Sequence, residues 1–411
     1  METGFTADFF IGNRAKLRAL FTGTAPIVLT ANGLLQRNAD TSFPFRQDSS
    51  FWYLTGIDEP DIILVLDKDK EYLILSNQES HQITFDGAIN VEELVRRSGI
   101  ETVFDTKTGW KQVESRLKRA KHIATLGASA TYVDSHGFFT NPARANLLEK
   151  IKDINSEIKL LDLRQHLATM RMVKQAPELQ ALRQAIDITG KTLNDVKRRL
   201  GFYKNEYEIE ADITRGFRKR GASGHAFTPI VASGANACVI HYLKNNDDLQ
   251  KARFVLLDVG AEVDQYAADI TRMFWLVEPS KREKTIYEAV YEVKTFAEEL
   301  LKPGILIREY ESQVEQFMGE KLRSLGLIKT IEHESVRQFF PHAVSHHLGL
   351  DAHDSADYEH RLESGMVLTV EPGIYIPKEG IGVRIEDDVL ITQNGVDLLS
   401  KVPSAMLQWQ Q

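Results

Sequence analysis

Five residues in the C-terminal half of the chain, Asp258, Asp269, His346, Glu371 and Glu386, have the types and settings needed to hold two divalent metal ions. They stand in the phrases LLDVG, ADITR, HAVSHHLGLDAHD, TVEPGIYI and GVRIEDD, in that order. Four carboxylates gathered in one place repel one another, and burying even one without a partner is costly, so a convergent set calls for compensating cations. Two ions roughly 3.5–4 Å apart would share a bridging hydroxide, lower the pKa of that water and polarise an amide carbonyl, which is the chemistry of a two-metal hydrolase. Oxygen donors outnumber nitrogen four to one in the set. That balance favours a hard ion such as Mn2+, with Co2+, Fe2+ or Zn2+ as alternatives, over a thiolate- or imidazole-rich zinc site.

Each position has a plainer reading beside this one. FVLLDVG is an apolar strand that delivers Asp258 at its end, and Asp269 follows at the distance of a hairpin return; an aspartate at a turn equally serves as a cap. VLTVEPG ends another apolar strand in Glu371, after which Pro372 and Gly373 turn the chain away. GVRIEDDVLIT places Glu386 on a strand whose other face carries Val383, Ile385 and Asp387, unless a salt bridge to Arg384 or a solvated edge accounts for the acid. Of twelve histidines, His342, His346, His347 and His353 crowd one segment, where a neutral imidazole can ligate metal and its neighbours can donate to a reacting oxygen. His347 reads as facing solvent. His241, closing the run CVIHY, reads either as part of the site or as a hydrogen-bonded core histidine. No HExxH, GxSxG or GxxxxGK[ST] phrase competes with this constellation.

The elements that must position these residues follow from periodicity. Up to about residue 165, the runs APIVLTA, DIILVLD, EYLILS and HIATLG alternate with helical spacing over 91–98 and 109–119, an α/β pattern. FPFRQDSSFWYLTG reads as a packed strand and turn near a domain surface. From residue 166 the texture changes to long amphipathic helices: one opened by Pro177 with Leu179, Leu182 and Ile186 at helical spacing, one over 206–218, and one over 281–301 ended by Pro303 and Gly304. The strand runs TPIVASG, FVLLDVGAEV, MFWLV, MVLTVEPGIYI and GVRIEDDVLIT interleave with them as hairpins, so the second domain reads as α+β.

A chain of 411 residues with 43% hydrophobic content is long enough for two cores. A formal net charge of -8 leaves no footprint for nucleic acid or an anionic membrane, and no uncharged apolar run approaches the length of a membrane span. The start, METGFTADFFIGNRAKL, does not read as a secretory signal. The single cysteine, Cys238, suits a reducing compartment, so a cytoplasmic location is expected.

The ordered set LLDVG, ADITR, SHHLGLDAHD, TVEPGIYI and GVRIEDD closely resembles the pita-bread metallopeptidases, in the aminopeptidase P and prolidase branch that cleaves bonds preceding proline. FPFRQDSSFWYLTG resembles the amino-terminal domain of that branch, so the likeness covers nearly the whole chain. It implies an α/β amino-terminal domain over 1–165 and an α+β pita-bread (creatinase/aminopeptidase-like) catalytic domain over 166–411. Carried over residue by residue, it implies that Asp269 and Glu386 bridge the metals, that Asp258 completes one ion, and that His346 and Glu371 complete the other. It further implies that Glu371 manages the proton of the attacking water, that His353 stabilises the oxyanion, that His241 contacts the substrate and that His342 lines the same pocket. Tyr375 and Arg384 match positions beside the site, and Asp40 is a candidate contact for the substrate amine.

The activity implied is an Xaa-Pro aminopeptidase acting on peptides with proline at the second position. An Xaa-Pro dipeptidase (prolidase) is the alternative, and a metal-free peptide- or histone-binding pseudoenzyme a more distant one. A homo-oligomer, dimer or tetramer, is implied as well. Two departures concern pocket shape alone: His347 stands where relatives often carry an aromatic, and Ala352 where they carry valine. The substrate preference has a physical basis, because an Xaa-Pro bond lacks an N–H and its ring fixes φ, so a site must pack the ring rather than pair its backbone.

Overall fold

The computed structural model describes residues 4–68, 70–127 and 137–402. The first three residues of the amino-terminal phrase, and 403–411 at the end of the second domain, lie outside that range. The chain divides into two compact units, Met1–Met170 and Arg171–Gln411.

In the first unit the strands are β1 (Ile27–Thr30), the small hairpin β2 (Gln36–Asn38) and β3 (Thr41–Ser42), β4 (Ile63–Asp67), β5 (Lys70–Leu75), β6 (Val103–Asp105), β7 (His122–Thr125) and β8 (Lys159–Asp162). Six of them form one sheet in the order β6-β5-β4-β1-β7-β8. β1, β7 and β8 run parallel, as do β5 and β6, while β4 is antiparallel to both of its neighbours. The helix expected over 109–119 begins earlier, at Thr106–Leu117, because the Asp105 carboxylate accepts from the Thr108 N–H at 2.9 Å and caps it.

FPFRQDSSFWYLTG departs from the expected strand and turn. Ser49–Thr55 is a helix, and Phe51, Trp52, Tyr53 and Leu54 are all buried rather than near a surface. Aromatic content favours a strand, but the Asp48 carboxylate accepts from the Ser50 and Phe51 N–H groups and starts a helix instead. Gly56 ends it at φ 67, where a Cβ would lie 2.3 Å from the Phe10 ring. Phe5 and Phe10 meet Trp52 edge-on with centroids at 5.1 and 5.5 Å, and this packing outweighs local strand propensity.

The second unit contains β9 (Gly224–His225), β10 (Ile230–Ser233), β11 (Phe254–Val259), β12 (Ala261–Val263), β13 (Tyr266–Ala267), β14 (Ile270–Trp275), β15 (Val367–Val370), β16 (Gly373–Ile376), β17 (Ile381–Arg384), β18 (Asp387–Thr392) and β19 (Gly395–Leu398). Every strand pair recorded in this unit is antiparallel, in the orders β10-β11-β14, β13-β12-β9, β15-β18-β19 and β16-β17. Helices Ala176–Arg199, Glu206–Lys219, Lys281–Leu300 and Ile307–Ser324 accompany them, the last not marked in the sequence reading. Pro177 stands in the first turn of Ala176–Arg199, where a missing N–H costs nothing. The core runs from Phe254 and Leu256 of β11 through Ile286, Val290 and Val293 to Tyr310, Val314 and Met318, so the strands rest on one face of the helices. Among the described residues, no helix is long and apolar enough to cross a membrane.

Three breaks in this framework matter for the site. FVLLDVGAEV is two strands, because a Cβ at Gly260 would sit 1.7 Å from the Ala268 carbonyl oxygen; only glycine lets the backbones approach there. The chain then turns at Asp264 and Gln265, with φ 48 and 65, and returns as β14, which pairs Asp258 with Thr271. GVRIEDDVLIT is also two strands: Glu386 lies in the break between β17 and β18, not on a strand as expected.

Candidate metal centre

The break at Glu386 explains how an acid from an apolar segment reaches a buried cluster. Its N–H donates to the Thr271 carbonyl at 3.2 Å, and its Oε2 accepts from Thr271 Oγ1 at 2.7 Å, so β14 holds it from both sides. Asp269 stands one residue before β14, its N–H donating to Asp388 Oδ2 at 3.2 Å. Asp258 is the penultimate residue of β11. All three acids are buried, at 8% exposure for Asp258, 6% for Asp269 and 2% for Glu386. His346 is fixed by its N–H to Thr369 Oγ1 at 3.2 Å, and Glu371 by its N–H to the Val344 carbonyl at 2.8 Å. Strand β15 therefore presents Glu371 at its end, as its sequence led one to expect.

Asp269, His346 and Glu386 each offer a ligand atom within 4.8 Å of the others. Glu371 Oε1 lies 3.3 Å from His346 Nε2, and Asp269 Oδ2 lies 3.8 Å from the same nitrogen. Asp258 adjoins through its charge, which pushes both Asp269 and Glu386 upward. His346 Nδ1 faces the His347 carbonyl at 3.1 Å; an Nδ1–H donating there turns Nε2 toward the acids, as a donor to Glu371 when the ring is protonated and as a lone pair when it is neutral.

The protonation of the cluster shows what it lacks. Burial, then the charges of Glu386 and Asp258, hold the Asp269 carboxyl well above the usual range. Burial, then Glu371 and Asp258, do the same to Glu386. Burial also acts to raise Glu371, but the hydrogen bond and charge of His346 prevail and hold it at about 2. Asp258 Oδ1 is buried with no hydrogen-bond partner among the described residues. An orphaned carboxylate oxygen, two crowded acids whose pKa values are raised by burial and by each other's charge, and an imidazole nitrogen turned toward them are donors that fit divalent cations.

Arg384 does not pair with Glu386, the alternative raised by the sequence. Its Nη2 donates to Asp258 Oδ2 at 2.5 Å, its Nη1 to the Tyr375 hydroxyl at 2.9 Å and its Nε to Thr271 Oγ1 at 3.2 Å. Tyr375 in turn meets His342 Nε2 at 2.8 Å, while His342 Nδ1 lies 2.8 Å from the Ala343 carbonyl and 3.7 Å from Glu371 Oε2. Burial lowers the pKa of His342 and raises that of Tyr375 to about 12, so the relay runs from guanidinium to phenol to neutral imidazole. His353 sets its ring centroid 4.3 Å from that of His346 at a tilt of 57°, and desolvation, then the charge of His346, hold it at about 4.

His241 is exposed in a turn, so it is not a core histidine. His347 does not face solvent. It is 1% exposed, meets Tyr358 edge-on at 5.9 Å, and burial, followed by the charge of Lys174, pushes it down to about 3. Asp40 lies in the exposed turn of the β2–β3 hairpin of the first unit, next to Ala39 at φ 42.

Several supporting residues escaped the sequence reading. Thr271 orients Glu386, and Arg272 donates to the Glu386 carbonyl while pairing with Asp387, which also takes Lys294 Nζ at 2.6 Å. The signal was present in the paired letters of ADITR and IEDD, but partners 115 residues apart leave no local spacing to read.

The chain matches metallopeptidase family M24 over residues 180–393 and the aminopeptidase P N-terminal domain over residues 10–124. It is 33% identical to the Xaa-Pro aminopeptidase of Haemophilus influenzae, over 97% of this chain and 96% of that protein. It is 32% identical to the Xaa-Pro aminopeptidase of Escherichia coli, over 96% and 94%. Among solved structures, it is similar to Escherichia coli aminopeptidase P with the inhibitor Pro-Leu, with a TM-score of 0.83, 30% identity and coverage of 97% and 95%. With the site geometry, these likenesses show that the chain belongs to metallopeptidase family M24, in its aminopeptidase P branch, with the amino-terminal domain of that branch ahead of a pita-bread catalytic domain.

Proposed function

We propose that this protein is a dinuclear-metal Xaa-Pro aminopeptidase that hydrolyses the first peptide bond of substrates with proline in second position. The observation that carries the reading is the buried convergence of Asp269, His346 and Glu386, with Glu371 at 3.3 Å from His346 and an unpartnered oxygen on Asp258. Asp258, Asp269, His346, Glu371 and Glu386 would hold the two ions. Oxygen-rich donors favour Mn2+. Bound metal would polarise the scissile carbonyl and acidify the attacking water.

The side chains do the rest. Glu371, whose carboxylate borders His346, would accept the proton of the attacking water and return it to the departing proline nitrogen. His353, uncharged at neutral pH, donates an N–H to the oxygen that gains charge as the carbonyl becomes tetrahedral. Arg384 and Tyr375 keep Asp258 and His342 in register through the relay described above. His342 and His241 line the slot for the proline ring, and Asp40 is assigned to the substrate amine in a dimer or tetramer of this chain.

The test is an assay of the purified protein with added Mn2+ against Xaa-Pro and Xaa-Pro-Xaa peptides, alongside elemental analysis. Release of the first residue from longer peptides, abolished by chelator and restored by metal, is expected. Cleavage of dipeptides alone would make it a prolidase. Absence of both bound metal and peptidase activity would make it a binding module.

A further inference from the structure

The loop His346–Asp354 begins with one imidazole of the centre and returns to another, His353, whose ring lies 4.3 Å from that of His346. The backbone closes on itself: the Asp354 N–H donates to the His347 carbonyl at 2.8 Å, and the Gly349 N–H to the Asp351 carbonyl at 3.1 Å. The residue after His353 then turns its side chain inward. The Asp354 carboxylate is 1% exposed and takes two cations, Arg171 through Oδ1 and Lys174 Nζ at 2.9 Å through Oδ2. Lys174 Nζ also donates to the Arg171 carbonyl at 2.8 Å, and Arg171 Nη2 reaches Asp351 Oδ2 at 2.6 Å. A Cβ on Gly349 would lie 2.2 Å from Asp354 Oδ2, so the loop has a glycine where the carboxylate needs the room.

Such a cluster is a poor device for stability. Three charged groups have left water, and replacing a buried ion network with apolar side chains of similar volume is often neutral or stabilising. What it supplies is one geometry, because a guanidinium fork, an ammonium and a carboxylate bonded to each other leave the loop little freedom. That geometry is delivered one residue from His353. The functional reading above gives the site no use for Arg171, Lys174 or Asp354.

We propose that Arg171, Lys174 and Asp354 are positioning residues that hold His353 against His346 at the distance hydrolysis needs, an inference that rests on the peptidase reading of this site. They touch no reacting atom. Their effect passes through the backbone of the loop to a single imidazole.

Asp354→Asn keeps the shape and removes the charge. In the Mn2+-loaded protein we expect kcat to fall about 100-fold, the scale of loss for a displaced catalytic group, with KM and metal content near wild type. In metal-free protein we expect faster amide hydrogen exchange over residues 347–354. The triple variant R171M/K174M/D354L separates positioning from stability: its Tm should equal or exceed that of Asp354→Asn while kcat stays as low. Wild-type kcat in the triple variant, or wild-type exchange and kcat in Asp354→Asn, overturns the proposal. If the triple variant does not fold, the exchange and kcat of Asp354→Asn decide alone. A wild-type protein that cleaves no Xaa-Pro peptide sinks the functional reading instead, and the exchange comparison still shows whether the cluster orders the loop.

Discussion

On Glu371 of the metal-free protein two effects oppose each other: burial acts to protonate it, and the hydrogen bond and charge of His346, 3.3 Å away, prevail and hold it below the usual carboxylate range. The carboxylate form is the one that can take a proton, and metal bound beside it would make the donor water more acidic. Glu371→Gln keeps the shape and removes this capacity, so kcat should fall by roughly 10²–10⁴, the range for a lost general base, with circular dichroism unchanged. Near-normal turnover would contradict the assignment. The place of Glu371 was legible in the sequence, since the apolar run VLTV and the Pro372-Gly373 turn bracket it at a strand end. What was not legible was the company the acids keep: Arg384 looked like a partner for Glu386 and belongs instead to Asp258, across 126 residues of chain.

Two strands and the returns between them set the distance between the acids. β11 and β14 pair Asp258 with Thr271, which leaves Asp269 just beyond the end of the ladder and brings Glu386 to Thr271. Gly260 is the point at which this arrangement has no tolerance, because the obstructing atom is a backbone oxygen at 1.7 Å rather than a side chain that can move. Gly260→Ala should destabilise the protein by about 1–3 kcal/mol as an overpacking change. It should also lower the metal bound per chain, read by urea denaturation and elemental analysis. The strand at β11 was plain in FVLLDVG, whereas the helix Ser49–Thr55 was hidden, because its aromatic content argued for a strand and its Asp48 cap carried the deciding signal.

At the scale of the whole molecule, the centre is a store of repulsion that metal relieves. Asp269 and Glu386 have folded pKa values raised above their ordinary 3.8 and 4.5, so in metal-free protein their contribution to stability is fully present below those values and is lost as pH rises through the raised ones. Glu371 works in the opposite direction, but its stabilisation fades only as pH falls from 4.5 toward 2, outside the working range. Metal binding also releases protons and so strengthens with pH. The gain in Tm on adding Mn2+ to metal-free protein should therefore be larger at pH 8 than at pH 5, measured by scanning calorimetry. An equal gain at both values would mean that these acids do not ligate the ion.

Residue type and order alone pointed to the candidate donors and determined the division of the chain into an α/β and an α+β region and the strand ends on which Asp258 and Glu371 stand, because those features are written in local patterns of apolar runs and turn residues. Which donor meets which partner was decided by tertiary structure. The pairing of Arg384 with Asp258 and of Arg171 and Lys174 with Asp354 behind His353 joins residues far apart in sequence, and the burial of His347 and the exposure of His241 likewise exist only once the chain has closed around the site.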